Sequence, residues 1–358
     1  MDQNRKKLLE NFSTRRILIP VAIGLGAVGY MLYRDPAARD LGALADAKLH
    51  WLLITVLVLV VRDAGYMYRI RHITEKALSW RQSVEVIMLW EFASCVMPSV
   101  VGGSTVATFI INKEGIPLGK SLAYVMVTAM LDNLYFVVAA PIVILLTQGN
   151  VFPDVAGLNF SVSSSLEVAF IISYALIGLY AFIMVYALFF KPQAVKRLLL
   201  RITSLPFLRR WRQSAFQHGN ELVLASHQIK GKNWKYWWHA GLSTAFVWTA
   251  RYYVVSCIIA AFIELSFNEH LLIFARNFVW KVVLLVAVTP GGAGIVEATF
   301  NVFFRDFITP SLLVMILLFY RIVTYYLYLV LGSVFLPRWV ARVFAPKKEH
   351  LREEVRIH

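Results

Sequence analysis

The sequence predicts an all-α membrane protein with six full transmembrane helices and two re-entrant helical hairpins of opposite orientation. Hydrophobic residues make up 59% of the 358 positions, charged residues only 16%, and the mean hydropathy is +0.63. These values are typical of a chain embedded in a bilayer. Two apolar stretches are also broken by proline and glycine well before they reach the roughly 20 residues that a full span needs.

The spans follow one another with few ambiguities. After a basic start at residues 1–16, apolar runs predict full spans at about 17–33, 49–68, 119–147, 166–190, 235–263 and 311–335. A basic loop is predicted at 69–81, and the 191–235 segment is a longer basic stretch with surface-lying amphipathic helices at 196–201 and 207–212. We predict a single polytopic domain whose half-repeats are residues 84–147 and 271–335.

The distribution of basic residues predicts the orientation. The segments predicted to be cytoplasmic hold 27 of the 36 Lys and Arg residues, whereas the predicted outer loops hold 4 and the predicted membrane interior holds 5. Cytoplasmic loops carry the excess of positive charge in membrane proteins. We therefore expect a cytoplasmic (inner) membrane protein with both termini inside, one hairpin entering from the cytoplasm and the other from outside.

The two interruptions resemble each other. Residues 98–109 and 289–300 each contain a proline, then glycines, then Ala-Thr-Phe, which begins nine residues after Pro98 and eight after Pro290. Non-helical backbone at membrane depth is tolerated only where it is buried in protein or lines a polar cavity. Interrupted helices at corresponding positions of two halves are typical of the binding site of an inverted-repeat transporter.

Glycines at a helix start allow an anion to approach free backbone N–H groups. The predicted substrate-binding residues are Gly102, Gly103, Ser104, Thr105, Pro290, Gly291, Gly292, Gly294, Glu297, Arg251, Lys281 and Arg321. Tight hairpin packing is the alternative explanation for these glycines.

Nine charged residues are predicted at membrane depth: Arg62, Arg251, Arg276, Lys281, Arg321, Asp63, Glu91, Asp132 and Glu297. A lone charge at a helix centre costs about 2.5–3.5 kcal/mol even on insertion scales, so most must pair or face water. We expect Arg62 and Asp63 to form a structural pair, and Arg62 and Arg276 to lie near enough to helix ends to snorkel. Asp132, Glu91 and Glu297 are predicted to balance charge or couple transport to protons. Asp132 and Arg321 occupy equivalent positions in the two halves and are hypothesised to approach each other or a shared ligand.

Other classes of function have little support in the sequence. There is no phosphate-binding GxxxxGK[ST] loop, no GxSxG motif and no cluster of metal ligands, so we predict no cofactor and no metal. Cys95 and Cys257 lie in apolar runs and are interpreted as core residues. The positive charge is explained by membrane orientation, so a nucleic-acid partner is not expected.

The second motif, Thr289 to Ala298, followed by Phe319-Tyr320-Arg321 and Gly332, resembles the transmembrane region of lysylphosphatidylglycerol synthases and their stand-alone flippase-like relatives. The first motif resembles that family less closely, because Ser104 and Thr105 stand where the family usually has an acidic and a basic residue. The resemblance covers about residues 17–340. It implies movement of a lipid with a charged or phosphate-bearing headgroup between leaflets. Because these residues include no match to the soluble aminoacyl-transfer domain of the full-length synthases, we do not expect lipid aminoacylation by this chain alone.

We therefore predict a flippase-like transporter of a phospholipid or polyprenyl-phosphate lipid, and not an enzyme. The expected partners are membrane lipids, with anionic lipid gathered by the basic 191–235 segment, and a homo-oligomer is possible. Two alternatives stay open at this point: an intramembrane enzyme acting on a lipid headgroup, and a non-transporting partner of a lipid or glycan synthase.

Overall fold

The computed structural model describes residues 47–97, 100–153, 160–285 and 289–344, and positions 21–22, 25–26, 28–30 and 33. Within these residues the protein is helical and contains no strand. The α-helices are α1 (Leu49–Ile73), α2 (Trp80–Val96), α3 (Val100–Lys113), α4 (Leu118–Leu146), α5 (Phe160–Val185), α6 (Pro192–Ile202), α7 (Arg212–Ile229), α8 (Trp234–Ala260), α9 (Phe267–Leu285), α10 (Ile295–Phe304), α11 (Pro310–Arg321) and α12 (Leu327–Val343).

Five helical segments of the described part are long and apolar enough to cross a membrane. They are Leu49–Ile73, Leu118–Leu146, Phe170–Phe190, Trp234–Ala260 and Pro310–Val343, the last formed by α11, a π-helical turn (Ile322–Tyr326) and α12. Each coincides with a predicted span. The predicted first span at 17–33 lies largely outside the described residues. The protein is therefore a multi-pass helical membrane protein.

Local sequence explains where two of the helices begin. Ser79 Oγ accepts a hydrogen bond from the Gln82 backbone N–H at 3.3 Å, and the Gln82 side chain accepts one from the Ser79 N–H at 2.9 Å. This reciprocal capping box starts α2. Asn233 Oδ1 likewise accepts from the Tyr236 N–H at 2.9 Å at the start of α8.

The predicted end of the second span at residue 68 is wrong. Helix α1 continues to Ile73, because Ile70 and Ile73 keep an apolar face that is fully buried. Arg69, which the sequence placed in a basic cytoplasmic loop, is therefore a buried residue of a membrane helix.

Helices are interrupted at both predicted breaks. Helix α2 ends at Val96 and α3 begins at Val100, so Gly102 and Gly103 lie in the first turn of α3. The sequence had suggested a longer break, extending from Pro98 to Gly103. Pro98 and Ser99 lie outside the described residues. Between α9 and α10 the chain makes a 3₁₀ turn at Pro290–Gly292. Entry of the two helix pairs from opposite membrane faces stays a prediction.

Helix α8 packs along α1 through the centre of the molecule. Gly65 of α1 allows this approach, since a Cβ at that position would lie only 2.6 Å from a Val247 methyl of α8. At one end of this helix pair, Lys48 Nζ donates a hydrogen bond to Glu264 Oε1 at 2.8 Å, which lowers the pKa of that carboxyl group.

The basic 191–235 segment folds as α6, a 3₁₀ turn (Pro206–Trp211) and α7. The amphipathic helix predicted at 196–201 lies within α6, which buries Val195 and exposes Leu198 and Ile202. The one predicted at 207–212 is instead mostly the 3₁₀ turn that leads into α7.

Candidate functional site

The glycine loop, residues 289–294, separates α9 from α10. Gly291, Gly292 and Gly294 have φ values of +58°, +67° and +84°, in the left-handed region that favours glycine. A Cβ on Gly291 would also clash with the Tyr325 ring. The loop thus needs glycine both for its backbone conformation and for its contact with the π-helical turn.

Glu297 and Arg321 hold this loop in place. Glu297 Oε2 accepts a hydrogen bond from the Gly294 N–H at 2.7 Å, and Arg321 Nη1 donates to the Gly291 carbonyl at 3.0 Å. Arg321 Nε lies 2.7 Å from Glu297 Oε1, and the two side chains are only 3% and 1% exposed. The predicted binding residues Glu297 and Arg321 are therefore brought together as a buried ion pair that fixes the broken backbone.

Several polar atoms beside this pair have no hydrogen-bond partner among the described residues. They include Arg321 Nη2 and the hydroxyl oxygens of Tyr325 and Tyr326. The Arg321 guanidinium lies 4.3 Å from the centre of the Tyr325 ring, and the two tyrosine rings are 5.2 Å apart. Buried polar groups are normally satisfied, so these atoms are exceptions to that rule, sealed from solvent beside the buried arginine.

A second cluster of charges lies between α1, α4 and α8. Arg69 Nη1 pairs with Asp132 Oδ1, which also accepts a hydrogen bond from Trp248 Nε1 at 2.6 Å. Arg69 Nη1 lies 3.3 Å from the Thr244 hydroxyl. The hypothesis of a direct Asp132–Arg321 pair is wrong, because Arg321 pairs with Glu297 and Arg69 comes within reach of Asp132 once α1 is extended.

Arg251 of α8 completes this cluster by pairing with Glu91 of α2. Its Nη2 donates to Glu91 Oε2 at 2.8 Å and to Oε1 at 3.2 Å, and its Nη1 donates to the Tyr66 hydroxyl at 3.2 Å. The Arg251 guanidinium also lies 5.4 Å from the Trp248 ring centre.

These groups surround the polar cavity, a space of about 80 Å³ bounded by Tyr66, Arg69, Glu91, Asp132, Trp248 and Arg251. It is partly open. Its two α8 residues, Trp248 and Arg251, lie 10 to 17 residues beyond the interfacial tryptophans Trp234 and Trp238 at the start of that helix. The cavity is thus lined by charged groups at the depth of the spans.

The remaining charges show how the cavity is balanced. Arg62 Nη2 lies 2.7 Å from Asp63 Oδ1 and contacts the Tyr328 hydroxyl, which donates to Asp63 Oδ2 at 2.7 Å. This confirms the predicted Arg62–Asp63 pair. Lys281 of α9 lies 5.9 Å from the Trp248 ring centre, within electrostatic reach of Arg251, and has no ion-pair partner among the described residues.

The expectation that Arg62 and Arg276 snorkel is wrong. Arg62 is 1% exposed and Arg276 is 5% exposed. Arg276 Nη1 pairs with Asp306 at 2.6 Å and donates to the Phe303 carbonyl at 3.1 Å. Both arginines are therefore neutralised inside the protein and do not reach the interface.

The first-half motif is placed differently from the second. Gly103 packs against α2, since a Cβ there would lie 2.7 Å from Ser94 Oγ, so close helix packing explains this glycine. Ser104 is half-buried, Thr105 is exposed, and neither belongs to the group that bounds the polar cavity. Within the described residues, the polar cavity is bounded by α1, α2, α4 and α8, and neither glycine segment contributes a residue to its lining.

Sequence reasoning missed Arg69, Tyr66 and Trp248. The signal was available: Arg62, Tyr66 and Arg69 are spaced i, i+4 and i+7 and therefore lie on one face of α1. No group of three or more His, Cys, Asp or Glu side chains that could hold a metal ion occurs in the part of the chain that the structure describes.

The fold and the charged interior define a multi-pass helical membrane protein with a polar site between its helices. The chain belongs to the family described as the lysylphosphatidylglycerol synthase transmembrane region, whose model matches residues 17–332. This confirms the resemblance seen in the sequence. The chain is also 24% identical over 311 residues to a UPF0104 membrane protein of Archaeoglobus fulgidus, an alignment that covers 80% of this chain and 86% of that protein. No solved structure matches the chain.

Proposed function

We propose that the protein is a flippase-like transporter that moves a phosphate-bearing lipid between the two leaflets of the cytoplasmic membrane. The observation that carries this proposal is the polar cavity, which lies at the depth of the spans and is bounded by Arg69, Arg251, Glu91 and Asp132. Ionisable groups inside a membrane are costly and mark substrate pathways. Membership of a family of transmembrane regions is consistent with this role.

The charges of the site favour an anionic headgroup. Four ion pairs neutralise Arg62, Arg69, Arg251 and Arg321. Lys281 has no such partner among the described residues, so it adds one positive charge to this group of charges at membrane depth. A phosphate needs cations and hydrogen-bond donors in a partly dehydrated site. The guanidinium of Arg251, which already donates to both oxygens of Glu91, has the fork geometry that also binds a phosphate.

The size of the cavity constrains the transport cycle. A volume of about 80 Å³ corresponds to two or three waters at about 30 Å³ each. It accommodates a phosphate group but not a whole lipid headgroup. Passage of a headgroup therefore requires the helices that bound the cavity, α1, α2, α4 and α8, to separate, while the lipid tails stay in the bilayer. The two interrupted helix pairs, entering from opposite faces, would be the moving parts.

Reconstituted vesicles test the proposal. Vesicles containing fluorescent phosphatidylglycerol or phosphatidylcholine are mixed with a membrane-impermeant quencher, and the fraction of label that becomes accessible is followed over time. The site variant is Arg251→Gln/Glu91→Gln, which removes a facing pair and keeps the net charge. The control is Lys48→Gln/Glu264→Gln, which removes an ion pair outside the site.

We expect the wild-type protein and the control to move the anionic lipid, and the site variant to lose this activity. Chromatography of the recovered lipid gives a second reading of the same experiment. A new covalent product would indicate intramembrane catalysis instead of transport. The absence of both movement and product would favour a non-transporting partner of a synthase. Equal rates in the two double variants would contradict the assignment of the polar cavity.

A further inference from the structure

A second cavity lies at the surface, between the end of α1 and the start of α8. We call it the surface pocket; its volume is about 570 Å³ and it opens widely to the exterior. Its walls are formed by the 72–76 turn and by residues 230–239. It is distinct from the polar cavity, although His72 lies only one helical turn along α1 from Arg69.

The surface pocket is strongly basic. Four lysines line it, Lys76, Lys230, Lys232 and Lys235, against one carboxylate, Glu75. Lys232 Nζ pairs with Glu75 at 2.5 Å and its side chain is only 17% exposed, so this lysine is held in the wall. The other three lysines are exposed, which leaves a concentrated positive charge facing the opening.

Aromatic rings and histidines form the floor of the surface pocket. His72 stacks on Tyr236 with ring centres 5.1 Å apart and lies 5.5 Å from His239. His72 Nε2 donates to the Tyr236 carbonyl at 3.0 Å, and His239 Nδ1 donates to the Lys235 carbonyl at 2.7 Å. Each carbonyl accepts from one ring nitrogen and so fixes the orientation of the ring, and the other nitrogen of a neutral ring is an acceptor.

Two features of the surroundings indicate the kind of ligand. Trp234 and Trp238 flank the pocket on α8, are 76% and 58% exposed, and stack with ring centres 6.3 Å apart. Exposed tryptophans at the end of a membrane helix lie at the level of lipid headgroups. The rim also holds Glu75 and Lys76 at φ values of +55° and +64°, a backbone conformation that L residues rarely adopt and that clusters at ligand-binding sites.

We propose that the surface pocket binds the phosphate of an anionic phospholipid headgroup from the leaflet that the charge distribution predicts to be cytoplasmic. The exposed lysines supply positive charge and hydrogen-bond donors, and the flanking tryptophans hold the site at the depth where headgroups lie. This binding does not depend on transport through the polar cavity, so the two proposals can fail separately.

The test compares two triple variants in an uncharged detergent. Lys76→Gln/Lys230→Gln/Lys235→Gln empties the surface pocket of its exposed charge and keeps the Lys232–Glu75 pair. Arg201→Gln/Arg209→Gln/Arg212→Gln removes the same charge from exposed positions of the 191–235 segment outside the pocket. Calorimetric titrations use short-chain phosphatidylglycerol, short-chain phosphatidylcholine and inorganic phosphate as probes.

We expect phosphatidylglycerol to bind the wild-type protein more tightly than phosphatidylcholine does. Each lysine near an anionic headgroup contributes about 1 kcal/mol, so removing three lysine charges should weaken binding by about a hundredfold. We therefore expect the affinity for phosphatidylglycerol to fall at least about tenfold in the pocket variant and much less in the control variant. Equal losses in both variants, or no loss in either, would overturn the proposal. Binding of inorganic phosphate without binding of phosphatidylglycerol would overturn the lipid as its source.

Discussion

Removing one partner of the Glu297–Arg321 ion pair should lower the free energy of unfolding by several kcal/mol, whereas removing both partners together should lower it by less than the sum of the two. Both side chains are almost fully buried, at 1% and 3% exposure. Glu297→Gln keeps an acceptor for the Gly294 N–H but leaves Arg321 without its counter-charge, and removing one partner of a buried pair costs about 3–5 kcal/mol. Arg321→Met should cost a similar amount, because it leaves the carboxylate alone.

The double variant Glu297→Gln/Arg321→Met removes both charges and fills most of the space. Replacing a buried pair by neutral groups is often close to neutral, and the lost hydrogen bond to the Gly291 carbonyl costs about 1.5–3 kcal/mol. We therefore expect a coupling energy of at least about 2 kcal/mol between the two positions.

Unfolding in detergent, followed by fluorescence of the 10 tryptophans, measures this cycle. The corresponding cycle at Lys48 and Glu264, which pair at the surface, should be additive. Single variants of Glu297 and Arg321 whose effects simply add, with coupling below about 0.5 kcal/mol, would refute the view that this pair holds the glycine loop.

Three further predictions concern the glycine loop and the polar cavity. Asp132→Asn removes the counter-charge of Arg69 and should lower the free energy of unfolding by about 3 kcal/mol, and adding Arg69→Met should recover much of it if the charge is the cause. Gly291→Ala should destabilise the protein by about 2–4 kcal/mol and lower its melting temperature, because the backbone is left-handed there and the new methyl group would meet the Tyr325 ring. The control Gly178→Ala should have little effect on the melting temperature, because nothing lies within 4 Å of the added Cβ. Lys281→Met should leave stability unchanged or raise it while slowing movement of anionic lipid by at least about tenfold; an unchanged rate would remove Lys281 from the site.

The sequence predicted the spans well because each depends on a local property, an uninterrupted apolar run of sufficient length. It also predicted the break at Pro290, since proline and three glycines in five residues cannot continue a helix. The end of α1 could not be located in the same way. Arg69 looked like the first residue of a basic loop, and only the burial of Ile70 and Ile73 by other helices keeps it in the membrane helix.

Pairing between charges was the least predictable feature of the site. Among the described residues, four ion pairs hold Arg62, Arg69, Arg251 and Arg321, and only Arg62 and its partner Asp63 are neighbours in the sequence. Arg251 and Glu91 are 160 residues apart, and Arg69 and Asp132 are 63 apart. Equivalent positions in two repeats suggested Asp132 and Arg321 instead. The actual partners depend on how α1 and α8 lie against each other, which no local pattern contains.

The arrangement of charges indicates how a headgroup would be accepted. Because Arg251 and Arg69 are already neutralised, a phosphate gains little from them unless it displaces a carboxylate, and the displaced group must then find water or a proton. Glu91 is 12% exposed and Asp132 is 24% exposed, so both can reach water, whereas Glu297 is sealed at 1%. Exchange of partners is therefore favoured at the polar cavity and opposed at the glycine loop. Under the proposed function, the polar cavity would bind the headgroup, whereas the buried Glu297–Arg321 pair holds the glycine loop.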